Sequence, residues 1–196
     1  MPDTHAPSRR PARELLLDAA AQLFYAHGVA GTGIDTITAR AGVAKKSLYN
    51  NFASKAELVA AYLEARHAEW LDLYNARASA AANPRERVLA VFDAYADHAH
   101  GAYAHGFRGC GLLNAAAELP AGDAGRAAVR RHKEEVEELL ATHVRELLPG
   151  AEERAPGVAR HLSFLLEGSV SRAGLEGDDA RLRDARGIAV EILAAL

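Results

Sequence analysis

"AGVAKKSLYNNFASK", residues 41–55, is the stretch on which the fold turns. Gly42 can take the left-handed backbone that redirects a chain leaving a helix, while Val43 and Leu48 are spaced to turn inward and hold the angle between two helices. Ala44, Lys45, Lys46, Ser47, Tyr49 and Asn50 are then left outward. The spacing predicts a helix over about 44–50. Two turns are too few to stand alone in water, so neighbouring helices must hold it.

Those neighbours are legible on either side. Leu15, Leu16, Ala19, Ala20, Leu23 and Phe24 make a helical stripe that ends near Gly28, predicting a first helix over about 11–27. Thr32 with Asp35 three residues on resembles a capping box, and Ile34, Ile37 and Ala41 supply the buried side of a second helix that Gly42 ends. Ser54 with Glu57 repeats the capping-box pattern and opens a long helix to about Ala78. Residues 1–53 are thus expected to form a three-helix domain with a helix-turn-helix, and 54–80 a connecting helix.

Beyond it no run alternates as a strand does, and apolar residues recur at spacings of three and four. Asn83, Pro84 and Glu86 stand at N-cap, first and third helical positions of a helix to about Tyr103. "CGLLNAAAEL", 110–119, reads as a short helix, Asp123 opens a longer one ending before Pro149, Pro156 starts another to about Gly174, and Asp178 or Asp179 caps the last. The expected fold is all-α with nine helices, its larger domain spanning 54–196.

With 196 residues the chain can bury an adequate core without staples, and its single cysteine, Cys110, forms no intrachain disulfide. A reducing compartment, the cytoplasm, is expected. "MPDTHAPSRRPAR" has no apolar leader, and charge interrupts the helices too often for a membrane span. The formal net charge of −3 hides a division. Residues 1–60 carry seven basic side chains (Arg9, Arg10, Arg13, Arg40, Lys45, Lys46, Lys55) against five acidic ones (Asp3, Glu14, Asp18, Asp35, Glu57), so the rest is net acidic. Only one end is expected to meet a polyanion.

The outward set after Gly42 mixes phosphate binders with an amide that can bond an adenine edge and lysines that can reach guanine. A short helix after a glycine turn can enter the DNA major groove, although similar turns also join ordinary helices. Arg9, Arg10 and Arg13 could track phosphates or enter the minor groove, the alternative being a frayed terminus.

The segment "AAAQLFYAHGVAGTGIDTITARAGVAKKSLYNNFASKAELVAAYL", 19–63, resembles the N-terminal DNA-binding domain of the TetR/AcrR family of one-component transcriptional regulators. The likeness covers about residues 13–63 and rests on Ala19-Ala20, Leu23-Phe24, Gly28, Thr32, Ile37, Ala41-Gly42-Val43, Leu48-Tyr49, Phe52 and Ser54-Lys55. It implies that Thr32, Tyr49 and Lys55 contact phosphates, and that Ala44, Lys45, Lys46, Ser47 and Asn50 face the bases. The sequence departs where the family often has a glycine (Lys46), aromatic or His residues (Asn50, Asn51) and a proline (Ala53). The resemblance also implies an operator duplex as partner, a small-molecule effector, and a homodimer built on the last two helices, most simply as a ligand-released repressor.

For the dimer, Leu162, Leu165, Leu166 and Val170 on the penultimate helix and Ile188, Ile192, Leu193 and Leu196 on the last recur at helical spacing; the same stripes could instead pack within the monomer. For the effector, polar or aromatic groups that interrupt apolar helices are Tyr95, His98, Phe107, Cys110, Asn114, Glu118, His161 and Phe164. "RGCGLLNAAAEL", 108–119, resembles a segment of one branch of the family, and its Cys110, Asn114 and Glu118, four apart, would share one helix face. Cys110 at a helix start, with Arg108 and His105 close in sequence, allows redox or electrophile sensing, or simply a small core residue. No metal or other cofactor is expected: His98 and His100 point to different sides of a helix, and no HxxxH or Cys/His pair set is present. Two rivals remain, an all-α enzyme using Cys110 with a histidine, and a protein-binding adaptor that has lost DNA readout.

Overall fold

The computed structural model describes residues 10–101 and 106–196, the side chain of His100 excepted. Arg9 and His105 therefore lie outside the described residues. Among the described residues are nine α-helices, one short 3-10 turn and no strand. They form two compact units, divided in sequence between Tyr62 and Leu63.

In the first unit α1 (Ala12–His27) supplies Leu16, Ala19, Ala20 and Phe24 to a core completed by Ile37, Leu48, Phe52, Leu58 and Tyr62. The Phe24 and Tyr62 rings meet edge to face with centroids 5.4 Å apart, which is why the first two turns of α4 (Lys55–Ala80) pack with this unit. Helices α2 (Ile34–Ala41) and α3 (Lys45–Asn51) are joined through Gly42, whose φ of 65° is left-handed. The Gly42 amide donates to Ala39 O and the Val43 amide to Thr38 O, the crossed pair of bonds that closes a helix and turns the chain. The Ser54 hydroxyl accepts from the Glu57 amide, and Glu57 Oε2 accepts from the Ala53 amide, so the cap expected for α4 forms.

One expected cap does not. The N-cap of α2 is Gly33, and the Thr32 hydroxyl points back to donate to Gly28 O at 2.7 Å and Leu23 O at 3.3 Å. It closes the carbonyl end of α1 instead, where Gly28 O, beyond the last helical residue, has no intrahelical donor.

The second unit contains the rest of α4, α5 (Pro84–Gly101), α6 (Gly111–Ala117), α7 (Ala124–Leu147), the 3-10 turn Glu152–Arg154, α8 (Ala155–Glu176) and α9 (Ala180–Ala194). The Asn83 cap of α5 and the Asp123 cap of α7 both form. α7 packs on α5 and α8, and α9 on α8 and α5, around Val88, Phe92, Leu140, Leu162, Leu166 and Leu182. Arg186 on α9 grips Asp93 on α5 with two bonds of 2.7 and 3.2 Å, and Arg77 on α4 grips Asp97 on α5 with two of 2.7 Å. The loop before α6 is pressed onto α8: a Cβ placed on Gly174 would stand 2.4 Å from Gly109 N. Only glycine permits this approach, and it fixes where Cys110 begins α6.

Candidate functional site

In the first unit, Leu48 is fully buried and anchors α3, leaving Ala44, Lys45, Lys46, Tyr49 and Asn50 exposed and Ser47 half-buried. Tyr49 keeps half of its surface in solvent, 51%. Asn51 turns back to donate to Ser47 O, so of the adjacent asparagines only Asn50 is presented outward. Lys45 lies 2.8 Å from the Asp35 carboxylate of α2, which raises its pKa above the ordinary lysine value. Lys55 is half-buried and donates to Val29 O at 2.6 Å, bracing the α1–α2 loop. An ammonium has three N–H groups, so this bond leaves donors for a phosphate.

Thr32 differs from the expectation. It is 2% exposed and its only hydroxyl proton is committed to backbone carbonyls, so its side chain is a brace rather than a surface ligand. Of the basic arm, Arg10 is paired with Asp18 at 2.8 Å and Glu14 at 3.4 Å, and the Arg13 guanidinium sits 5.2 Å from the Phe52 ring centroid.

In the second unit a small, partly open cavity lies among α4, α5, the 106–110 loop, α6 and α8. Tyr95, His98, Phe107 and Cys110 come together there as expected. Asn114, Glu118, His161 and Phe164 do not. Leu112, Ala115 and Ala116 are the buried side of α6, which turns Asn114 and Glu118 to solvent. Cys110 is the N-cap, with extended backbone, so the helical phase linking positions four apart does not reach it. On α8 the buried phase is Ala159, Leu162, Leu166, Val170 and Ala173, which leaves His161 exposed and Phe164 66% exposed on the opposite side.

The same phase corrects the dimer residues. Leu162, Leu166, Val170 and Leu193 are at most 1% exposed inside the monomer, whereas Leu165 and Ile192 are half-buried and Ile188 is 45% exposed. Phe164, Leu165, Gly168 and Ile188 line an open apolar groove on the outer face of α8 and α9, with Arg181 and Asp184 at its edge.

Sequence reasoning missed Arg66, Trp70 and Lys133. Arg66 and Trp70, one turn apart on α4, border the cavity. Arg66 Nη1 is 2.7 Å from Glu69, and His98 Nε2 is 3.4 Å from the same carboxylate. Burial alone would raise the Glu69 pKa, but His98 and Arg66 together lower it. Lys133 of α7, hidden in the charged run "RRHKEE", reaches inward to Glu167 at 2.8 Å, Tyr95 Oη at 3.1 Å and Cys110 Sγ at 3.5 Å. Burial opposes its charge, but Cys110, Tyr95 and Glu167 outweigh burial and raise its pKa well above the usual value. Burial likewise pushes the Tyr95 phenol up, so this pair is an ammonium and a neutral hydroxyl near pH 7. Trp70 is the only tryptophan in the chain, a signal available in the sequence; Lys133 gave none.

A three-helix head whose third helix is exposed and cationic, followed in the chain by a helical unit with a cavity, is the build of a DNA-binding regulator. The sequence model of bacterial regulatory proteins of the tetR family matches residues 16–62. A TetR transcriptional regulator from Streptomyces avermitilis is 31% identical with a TM-score of 0.75, covering 94% of this chain and 97% of its own. A TetR-family transcriptional regulator from Streptomyces coelicolor aligns at a TM-score of 0.85 with 26% identity over 95% and 96% of the two chains. The reduced form of NemR from Escherichia coli aligns at 0.74 with 26% identity over 92% and 95%. Among curated protein sequences no significant match is found. The chain belongs to the TetR family of transcriptional regulators. Members of that family bind DNA, usually as repressors, and typically dimerise and bind ligands. Among the described residues no helix is long and apolar enough to cross a membrane.

Proposed function

We propose that this protein is a homodimeric repressor whose two α3 helices enter successive major grooves of a palindromic operator, and which a small molecule bound in the α4–α8 cavity releases. Residues 1–53 serve as the DNA-binding domain and 54–196 as the effector and dimer domain. Lys45, Lys46, Ser47, Tyr49 and Asn50, with Ala44 at the helix entry, meet the duplex; Lys55 adds a phosphate contact. The observation that carries the reading is that α3 buries Leu48 alone and leaves Lys45, Lys46 and Asn50 exposed. Such exposure has no use in packing.

Arg66 and Trp70 belong to the same continuous helix as Lys55, Leu58 and Tyr62, which supports α4 as the element through which ligand and operator compete. The ligand must favour the DNA-incompetent state by a few kcal/mol for a useful switch, and ligand and operator must then weaken each other reciprocally. Selection of bound duplexes from a random pool tests the first part. The expected result is a palindrome with half-sites about one helical turn apart. Binding indifferent to sequence would overturn it.

A further inference from the structure

The cavity also restricts what can fill it. Trp70 is 4% exposed and its indole Nε1 is buried with no hydrogen-bond partner among the described residues; Arg66 Nε is in the same condition. Both residues border the cavity, and both orphaned atoms are donors. A buried donor left unpaired is costly, so a ligand acceptor that reaches either atom gains a hydrogen bond in a site sheltered from water. The charges nearby are already matched: Arg66 faces Glu69 at 2.7 Å and Lys133 faces Glu167 at 2.8 Å. A ligand anion would therefore lose its hydration without finding an unpaired cation. The remaining walls are aromatic and aliphatic, with Tyr95 and Trp70 ring centroids 5.2 Å apart at 53°, and Phe107, Leu112 and Val170 beside them.

Resting on the reading of this cavity as the effector site, we infer that the effector is an uncharged aromatic molecule bearing a carbonyl-type acceptor, which takes hydrogen bonds from Trp70 Nε1 and Arg66 Nε.

The test compares three probes of one shape on the full-length protein by calorimetry: 2-acetylnaphthalene, 2-ethylnaphthalene, which lacks the acceptor, and anionic 2-naphthoate. The acetyl compound is expected to bind about fivefold or more tightly than the ethyl compound, the worth of one neutral hydrogen bond, and more tightly than the naphthoate. Trp70→Phe, and separately Arg66→Leu, should shrink that ratio toward one. Because the ratio is taken within each variant, a change in overall stability does not imitate it. Equal binding of the acetyl and ethyl compounds, preference for naphthoate, or binding of none would overturn the inferred class. Operator release is measured alongside. If the acetyl preference is found without release, the class stands and the ligand-released repressor reading falls; if no probe binds yet another small molecule releases operator, the class falls and that reading stands.

Discussion

The Lys45 ammonium stands 2.8 Å from the Asp35 carboxylate, so the first lysine of α3 is held by the first turn of the helix before it. Both side chains are largely in water, where such a pair adds little stability and a phosphate can replace the carboxylate. Lys45→Ala should weaken operator binding and lower the slope of log affinity against log salt by about one. Asp35→Asn, which frees the lysine, should strengthen binding. Unchanged salt slopes and base preferences in both variants would take Lys45 out of the interface.

Thr32 separates bracing from contact. Its hydroxyl donates to Gly28 O inside the α1–α2 turn, so Thr32→Val should cost about 1 kcal/mol of stability in denaturant unfolding. The salt slope of operator binding should stay that of the parent. A lower slope with unchanged stability would restore the side chain as a phosphate ligand.

What could be read in advance followed local rules. Gly42, Ser54 with Glu57, Asn83 with Glu86, and Asp123 all act where they stand in sequence, because caps and turns involve neighbours a few residues apart. The α3 surface was equally legible, since Leu48 alone sets its phase. The cavity was only half legible. Tyr95, His98, Phe107 and Cys110 interrupt apolar stretches, but helix phase decides which polar groups face in, and phase is set by the tertiary partner. That is why His161 and Phe164 on α8 turned outward, and why Lys133, in a run resembling a solvated face, turned inward. Thr32 was misassigned because its acceptors, Gly28 O and Leu23 O, become reachable only after α1 ends and the chain folds back.

The Lys133–Glu167 pair should dominate the stability of the cavity wall. Its side chains are 18% and 25% exposed, and Lys133 also lies 5.3 Å from the Tyr95 ring centroid. Removing one partner leaves the other charge largely desolvated, so Lys133→Met should destabilise by roughly 3 kcal/mol in chemical denaturation. The double variant Lys133→Met with Glu167→Leu should recover most of the loss. A double variant as unstable as the single one would mean that packing, not the orphaned carboxylate, sets the cost.

Acid should weaken the second unit before carboxylates titrate. His132 is 5% exposed and stacks on His67 with centroids 4.1 Å apart; Glu64 and Glu135 face the pair at 3.3 and 2.7 Å. Burial, then the charge of His67, lowers the His132 pKa below 6.5 despite Glu64 and Glu135. His143, bonded to Tyr74 Oη at 2.6 Å, is lowered by burial and by Arg87 against the pull of Glu146. With folded-state values depressed, the unfolded chain binds more protons as pH drops below about 6.5. The contribution of both histidines is therefore full above that pH and is lost as pH falls through their lowered values. Tm measured from pH 8 to pH 5 should decline in that window, and His132→Asn with His143→Asn should flatten the decline. An equally steep decline in the double variant would place the loss elsewhere.

The outer face of α8 and α9 should decide the oligomeric state. Gly157, His161, Phe164, Gly168 and Leu175 recur along one exposed side of α8 at helical spacing, with Ile188 exposed on α9. A Cβ at Gly157, Gly168 or Gly187 would touch nothing within 4 Å, so these glycines leave room at the surface rather than serving the monomer's packing. Exposed Phe164 and Ile188 flanked by small residues suit close approach of a second pair of helices around a two-fold axis, where each residue meets its symmetry mate's surroundings. A carboxylate placed there is buried unpaired twice, once per protomer. Phe164→Asp and Ile188→Asp should therefore each give a folded monomer in light scattering, with unchanged helical circular dichroism. Operator affinity should fall by orders of magnitude, because one head reads only one half-site. Leu162→Ala, by contrast, should lower Tm through a core cavity. Dimers persisting in both aspartate variants would move the interface to another face.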